Sequence, residues 1–253
     1  MMIKSRPVIF VLAIFLLFSC DLFNSGDTGM LVFKGVQNLP PQITAKRSEL
    51  STALIPGENT HTMYSRDMKF NVYEIYISQA LVDTGFSDLF QWYKIGENTG
   101  LKSIHEYEMQ ADDLPAGEYQ SLKIIFRNEV LRCAVYVNDT SNVVLMPSSL
   151  SESGSGDSSF VINYFAAGGS YFHTDEGFRL MSEGENLQGF SINTNRITRL
   201  YWLLGGLNST WTDFTFSWHD NDGDSLWTPG TDHVDNFQGP ADVPMWTFVA
   251  VEE

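Results

Sequence analysis

Tyr119-Gln120-Ser121-Leu122-Lys123-Ile124-Ile125-Phe126-Arg127, followed after Asn128-Glu129 by Val130-Leu131-Arg132-Cys133-Ala134-Val135-Tyr136-Val137, decides the fold class. Leu122, Ile124 and Phe126 face one way, with Lys123 and Arg127 among the residues facing the other. A period of two with one face partly polar is the mark of an antiparallel strand. The same alternation returns at Phe214, Phe216 and Trp218, with Thr215 and Ser217 opposite. Further strands are expected at 30–36, 69–82, 89–95, 143–146, 160–165, 196–204, 212–218 and 245–251, bounded by Gly, Pro, Asn and Asp. No stretch keeps a helical period over a dozen residues, although 44–54 and 101–110 have room for a turn or two. Many short strands separated by turn signals predict an all-β antiparallel sandwich.

A chain of 253 residues suits one large β domain or two small ones. Its length permits burial of roughly 70–75% of the unfolded surface, so disulfide staples are unnecessary. The two cysteines are Cys20 and Cys133. Cys133 lies within the strand-like run and is expected to be a buried, inert thiol. Residues 148–159, almost all Ser, Gly and acid, form a loop or linker between an N-terminal β part (29–147) and a C-terminal β part (160–253). Two packed β subdomains are expected, with one composite sandwich as the alternative.

The first 20 residues address the chain. Lys4 and Arg6 precede an unbroken apolar run, Val8 to Phe18, about half the ~20 residues that span a bilayer as a helix. That is the shape of an export signal, removed on maturation, over residues 1–19. Leu17-Phe18-Ser19-Cys20 resembles the lipobox of bacterial lipoproteins, although that family prefers a smaller residue than Phe18. The resemblance implies that Cys20 is lipidated, that 20–28 is a flexible tether, and that the protein is lipid-anchored in the bacterial cell envelope, facing the periplasm or the exterior. The cadence of Phe70-Asn71-Val72-Tyr73-Glu74-Ile75-Tyr76-Ile77-Ser78, then Leu114-Pro115-Ala116-Gly117-Glu118-Tyr119, resembles uncharacterised bacterial lipoproteins with an immunoglobulin-like or transthyretin-like β-sandwich. It implies a fold and a location, and a fold alone supplies no function.

The formal charge is −16, and loss of Lys4 and Arg6 with the signal makes the mature chain more acidic still. Such a field repels nucleic acid and anionic membrane surfaces. Membrane contact is therefore expected through the lipid, each buried methylene adding about 0.8 kcal/mol.

The strongest chemical motif is His219-Asp220-Asn221-Asp222-Gly223-Asp224-Ser225-Leu226-Trp227-Thr228-Pro229-Gly230-Thr231-Asp232. Calcium takes six to eight oxygen ligands at 2.3–2.6 Å, and carboxylates at alternate positions of a tight loop converge on one point. Asp220, Asp222 and Asp224 have the 1, 3, 5 spacing of EF-hand and dockerin-like loops, which the segment resembles. That resemblance implies a carbonyl ligand from Leu226 and closure by Asp232 or water. Ser225 stands where such loops carry glycine, and Pro229 and Gly230 prevent a following helix. A structural calcium loop between strands is the expectation, and a solvated acidic hairpin the alternative. His219 and His233 flank the loop, but oxygen-rich surroundings favour calcium over a transition metal.

No serine-hydrolase elbow, P-loop or Rossmann glycine pattern is present, and His105-Glu106-Tyr107-Glu108-Met109 lacks the second histidine of a zinc-protease helix. The expected role is therefore non-catalytic: binding an unidentified protein or glycan, or structural. The alternatives are a carbohydrate-binding lipoprotein and an unrecognised hydrolase. Trp218 and Trp246 lie on apolar strand faces and are expected in the core. Trp211 and Trp227 lie in loops and are the candidates for a ligand surface.

Overall fold

The computed structural model describes residues 27–37, 59–82, 89–149, 159–166, 170–174, 177–182, 187–204, 214–238 and 246–253. Cys20, Trp211, the segment 44–54 and nearly all of 148–159 lie outside the described residues. The strands run β1 (Thr28–Gly35), β2 (Thr60–Ser78), β3 (Tyr93–Glu97), β4 (Lys102–Ser103), β5 (Glu108–Pro115), β6 (Gly117–Tyr119), β7 (Ser121–Tyr136) and β8 (Asp139–Ser148). They continue with β9 (Ser159–Phe165), β10 (Ser170–Thr174), β11 (Gly177–Ser182), β12 (Phe190–Ile192), β13 (Ile197–Leu204), β14 (Thr215–His219), β15 (His233–Gln238) and β16 (Trp246–Glu252). One 3₁₀ turn, Ile104–Glu106, joins β4 to β5, where the sequence leaves room for a longer helix. Among the described residues no helix is long and apolar enough to cross a membrane.

The protein is an all-β sandwich, mainly antiparallel. Its smaller sheet has the order β16-β13-β1-β5, with β1 and β13 parallel. The larger sheet has the order β11-β10-β9-β7-β2-β14-β15, with β3 and β4 beside β2 and β8 beside β7. The long strands β2 and β7 form its spine. On its other side β7 pairs with β9 through its first half and with β8 through its second. Strands from both sides of 148–159 therefore interleave in both sheets, and one core draws on both. Among the described residues the two parts thus share both sheets, as in the composite alternative. The long-range parallel pairing of β1 with β13 leaves no local mark in the sequence.

The alternation at Leu122, Ile124 and Phe126 places all three in the core. The two strand-like runs around Asn128 form a single strand. Its pairing with β2 jumps from Phe126↔Val72 to Val130↔Phe70, and this bulge breaks the alternation. Ser217, expected on the polar face, is also buried.

Aromatic rings fill the space between the sheets. Phe70 of β2 meets Trp246 of β16 edge-on, with centroids 4.8 Å apart, and Trp246 lies 4.9 Å from Trp202 of β13. Phe126 of β7 reaches both indoles, and Tyr164 of β9 packs on Phe248 of β16 at 4.7 Å. Such pairs add about 0.5–1.5 kcal/mol beyond the area they bury. Gly35 allows β1 to pass against the 3₁₀ turn, since a Cβ there would overlap the Ile104 carbonyl.

Candidate metal site in the acidic loop

β14 ends at His219 and β15 begins at His233, and the acidic loop connects them as the far end of a hairpin. Asp220 is only 3% exposed. Its backbone N–H donates to the Asn59 carbonyl at 3.0 Å, which fastens the loop to the start of β2. Its carboxylate folds the loop around itself. Oδ1 accepts the Gly223 N–H at 2.6 Å, and Oδ2 accepts the Ser225 N–H at 2.8 Å. Gly223 and Ser225 both adopt positive φ, +76° and +62°, which turns their N–H groups inward. Asp232, also buried, acts in the same way from the other side. It accepts the Asn221 N–H at 2.8 Å and the Thr228 N–H at 2.7 Å.

The loop brings one carboxylate oxygen each from Asp220, Asp222 and Asp224 within 4.8 Å of one another. Two oxygens bound to one calcium at 2.3–2.6 Å are at most about 5.2 Å apart, so the trio fits such an ion. Loss of water pushes the Asp220 carboxyl up, but the Ser225 and Gly223 N–H donors outweigh that and hold it below the usual carboxylate range. Asp222 is pushed up, first by loss of water, then by the Asp224 charge and the hydrogen bond to Asp220. The loop therefore carries the repulsion that a divalent cation relieves.

The other site candidates separate. Asp232 is not in the converging trio, and both its oxygens hold backbone N–H groups. Leu226 has a largely exposed side chain, and its N–H donates to Asp224 Oδ1 at 2.7 Å. Trp227 is half-buried against the core, edge-on to Trp218 at 5.7 Å, and its backbone N–H donates to the Tyr136 hydroxyl. Trp218 and Trp246 are buried, as their strand faces imply.

Sequence reading misses one neighbour of the loop, His61, and names the flanking pair His219 and His233 without their contact. His61 of β2 stacks on Trp218 at 4.9 Å and places Nε2 3.4 Å from Asp220 Oδ2. His219 and His233 stack as a cross-strand pair at 5.4 Å, with His233 Nε2 3.0 Å from Asp235. The sequence carries no local signal for His61, because sheet order places β2 beside β14. A separate aromatic surface lies on the outer side of the large sheet. The Lys123 ammonium sits 4.4 Å from the Trp92 ring and 4.9 Å from the Tyr76 ring, and the Arg127 guanidinium lies 4.0 Å from the Tyr73 ring.

No protein-family model, no curated protein and no solved structure matches this chain.

Proposed function

We propose that this chain is a bacterial envelope lipoprotein, anchored through a lipid on Cys20, with a non-catalytic binding or structural role and a calcium ion bracing the 219–235 loop. The observation that carries the calcium reading is the convergence of Asp220, Asp222 and Asp224 within 4.8 Å on a loop held by its own backbone donors. The anchor reading is supported by the apolar run from Val8 to Phe18 ending at Leu17-Phe18-Ser19-Cys20. The ion's role is structural, because the loop links adjacent strands and its buried members already hold backbone. An extracellular site of this kind binds with a dissociation constant on the order of 10⁻⁴–10⁻³ M. At ten times that concentration, calcium adds about 1.4 kcal/mol to the native state.

Two measurements test the two parts. Intact-mass analysis of the mature protein is expected to show a chain beginning at an acylated Cys20, and Cys20→Ala is expected to abolish acylation. An unmodified wild-type chain, or cleavage elsewhere, refutes the anchor. Calorimetry is expected to show one calcium per chain at millimolar concentration with a rise in melting temperature. Absence of both returns the loop to a solvated acidic turn. A second reading, carbohydrate binding, is supported by the outer row of Tyr73, Tyr76 and Trp92 rather than by Trp227, whose ring packs on Trp218.

A further inference from the structure

His219 closes β14 and His233 opens β15, and the two stand directly opposite each other as the last pair before the acidic loop. Opposed residues of an antiparallel pair share a face, so both imidazoles lie on one side of the sheet. The preceding residue, Trp218, is buried and His219 only half-buried, so alternation sends the imidazoles to the outer side. Ser217 pairs with Asn236 and Trp218 with Val234, which leaves Asp235 as a bulge. Bulges re-aim side chains. Here the Asp235 carboxylate comes to His233 Nε2 at 3.0 Å. The other ring nitrogen, Nδ1, faces Asn221 Nδ2 at 3.3 Å.

These neighbours select one tautomer of neutral His233. A carboxylate only accepts, so Nε2 carries the hydrogen. Asn221 Nδ2 also donates to the Thr231 carbonyl at 2.5 Å, which identifies it as the amide nitrogen. An amide nitrogen only donates, so Nδ1 presents its lone pair. An imidazole whose N–H is held by a carboxylate, with the lone pair on its other nitrogen, is the state in which histidine binds a metal. The two ring centres are 5.4 Å apart and the planes inclined at 29°, so the planes meet and one atom can lie in both. A metal about 2.0–2.1 Å from one nitrogen of each ring lies about 3.2 Å from each ring centre, and a tetrahedral angle then sets the centres about 5.2 Å apart. The observed separation matches that spacing.

We propose that His219 and His233 form a binding site for a divalent transition ion of the zinc class, with Asp235 positioning His233. The two imidazoles are the protein ligands, water fills the remaining positions, and Asn221 yields its long contact with Nδ1. Imidazole suits zinc, copper and nickel, whereas carboxylates suit calcium. The converging carboxylate trio includes neither histidine. The hairpin end therefore carries a nitrogen site beside an oxygen site, and the two select different metals. The nitrogen site requires neither the lipid on Cys20 nor calcium in the acidic loop.

The test titrates zinc into the purified full chain by calorimetry. One zinc per chain is expected at this site, and nickel, cobalt and manganese are expected to bind in falling order. His233→Asn is expected to abolish zinc binding and to fold normally, since its side chain is 57% exposed. Should it fail to fold, His219→Asn serves instead. Asp235→Asn is expected to weaken zinc about 10–100-fold with the metal-free melting temperature little changed, the mark of a residue that positions a ligand. Asp222→Ala and His61→Gln are expected to bind zinc as wild type does, which separates this site from the carboxylate trio and from the His61–Asp220 contact. Wild type that ignores zinc, a folded His233→Asn or His219→Asn that binds it equally, or loss of zinc binding in Asp222→Ala or His61→Gln overturns the proposal.

Discussion

The Tyr107 hydroxyl accepts the Val72 N–H at 3.1 Å and donates to the Phe70 carbonyl, at the point where β2 slips register against β7. The backbone carbonyl of Tyr107 accepts the Gly35 N–H of β1 at 2.9 Å. One residue thus ties the small sheet to the bulge of the large one and satisfies backbone groups that the bulge removes from the ladder. Burial pushes the phenol up to about 12, so it remains protonated and able to donate. Tyr107→Phe keeps the ring and orphans Val72 N–H. It is expected to lower unfolding free energy by about 1–3 kcal/mol. Urea denaturation measures this, and a midpoint equal to wild type refutes the tie.

Phe70 is the ring through which β2 meets Trp246 and Trp202. Phe70→Ala is expected to cost about 3–5 kcal/mol, the range for emptying a packed aromatic site. Val143→Ala, on a strand position that is 57% exposed, is the control and is expected to stay within about 0.5 kcal/mol of wild type. A Phe70→Ala effect as small as the control's shows that the sheets are not joined by these rings.

Within the acidic loop, Asp220 and Asp222 have separable duties. Asp220 holds Gly223 and Ser225 N–H groups whether or not an ion is present. Asp222 is exposed and repelled by its neighbours. Asp220→Ala is therefore expected to lower the melting temperature both with calcium and with chelator. Asp222→Ala is expected to leave the metal-free protein unchanged or more stable and to remove the calcium-dependent rise. Equal effects of the two substitutions in chelator contradict this division.

The fold class was legible because Leu122, Ile124, Phe126 and Phe214, Phe216, Trp218 each serve one packed face, and packing on one face writes a period of two. β5 was not legible. Only Met109 and Leu114 of its residues are buried, and its place is set by backbone pairing to β1. The turn at Ile104–Glu106 was visible as helical tendency, but its length is set by Ser103, whose N–H the Glu106 carboxylate accepts at 2.6 Å. The carboxylate trio follows from spacing within one loop, and so could be read. His61 and Tyr136 reach that loop from β2 and β7, a matter of sheet order rather than spacing.

Cys133 is buried between Asp67 and Leu145 in the ladder, and burial, then the Asp67 charge, pushes its thiol up. A thiol that is shielded and protonated is a poor nucleophile. Labelling by a disulfide reagent at neutral pH is expected to be slow in the native protein and fast in denaturant. Rapid native labelling of Cys133 refutes the strand's placement.

Carboxylates held below their ordinary range in the fold, Asp139 and Asp220 among them, give the stability its acid limb. Glu74 is held below its ordinary 4.5 first by the hydrogen bond from Lys94, and Glu106 first by the Ser103 N–H. Glu108 is held down first by Lys34, and Glu253 first by Arg199. A carboxyl that binds its proton less readily when folded stabilises the native state above its unfolded value, and that contribution fades as pH falls through the folded value. Asp222, raised in the fold, runs the other way: its contribution is present at low pH and lost as pH rises. Calcium, bound as proposed, is expected to remove that opposing trend by favouring the ionised form. The urea midpoint is thus expected to hold steady near neutrality and to fall below about pH 4.5, more sharply with calcium than with chelator, because protons then also displace the ion. Exposed pairs contribute little singly, so Glu106→Gln alone is expected to blunt the fall only slightly. A midpoint that rises on acidification from pH 5 to pH 3 shows that repulsion across this acidic chain outweighs the partnered carboxylates.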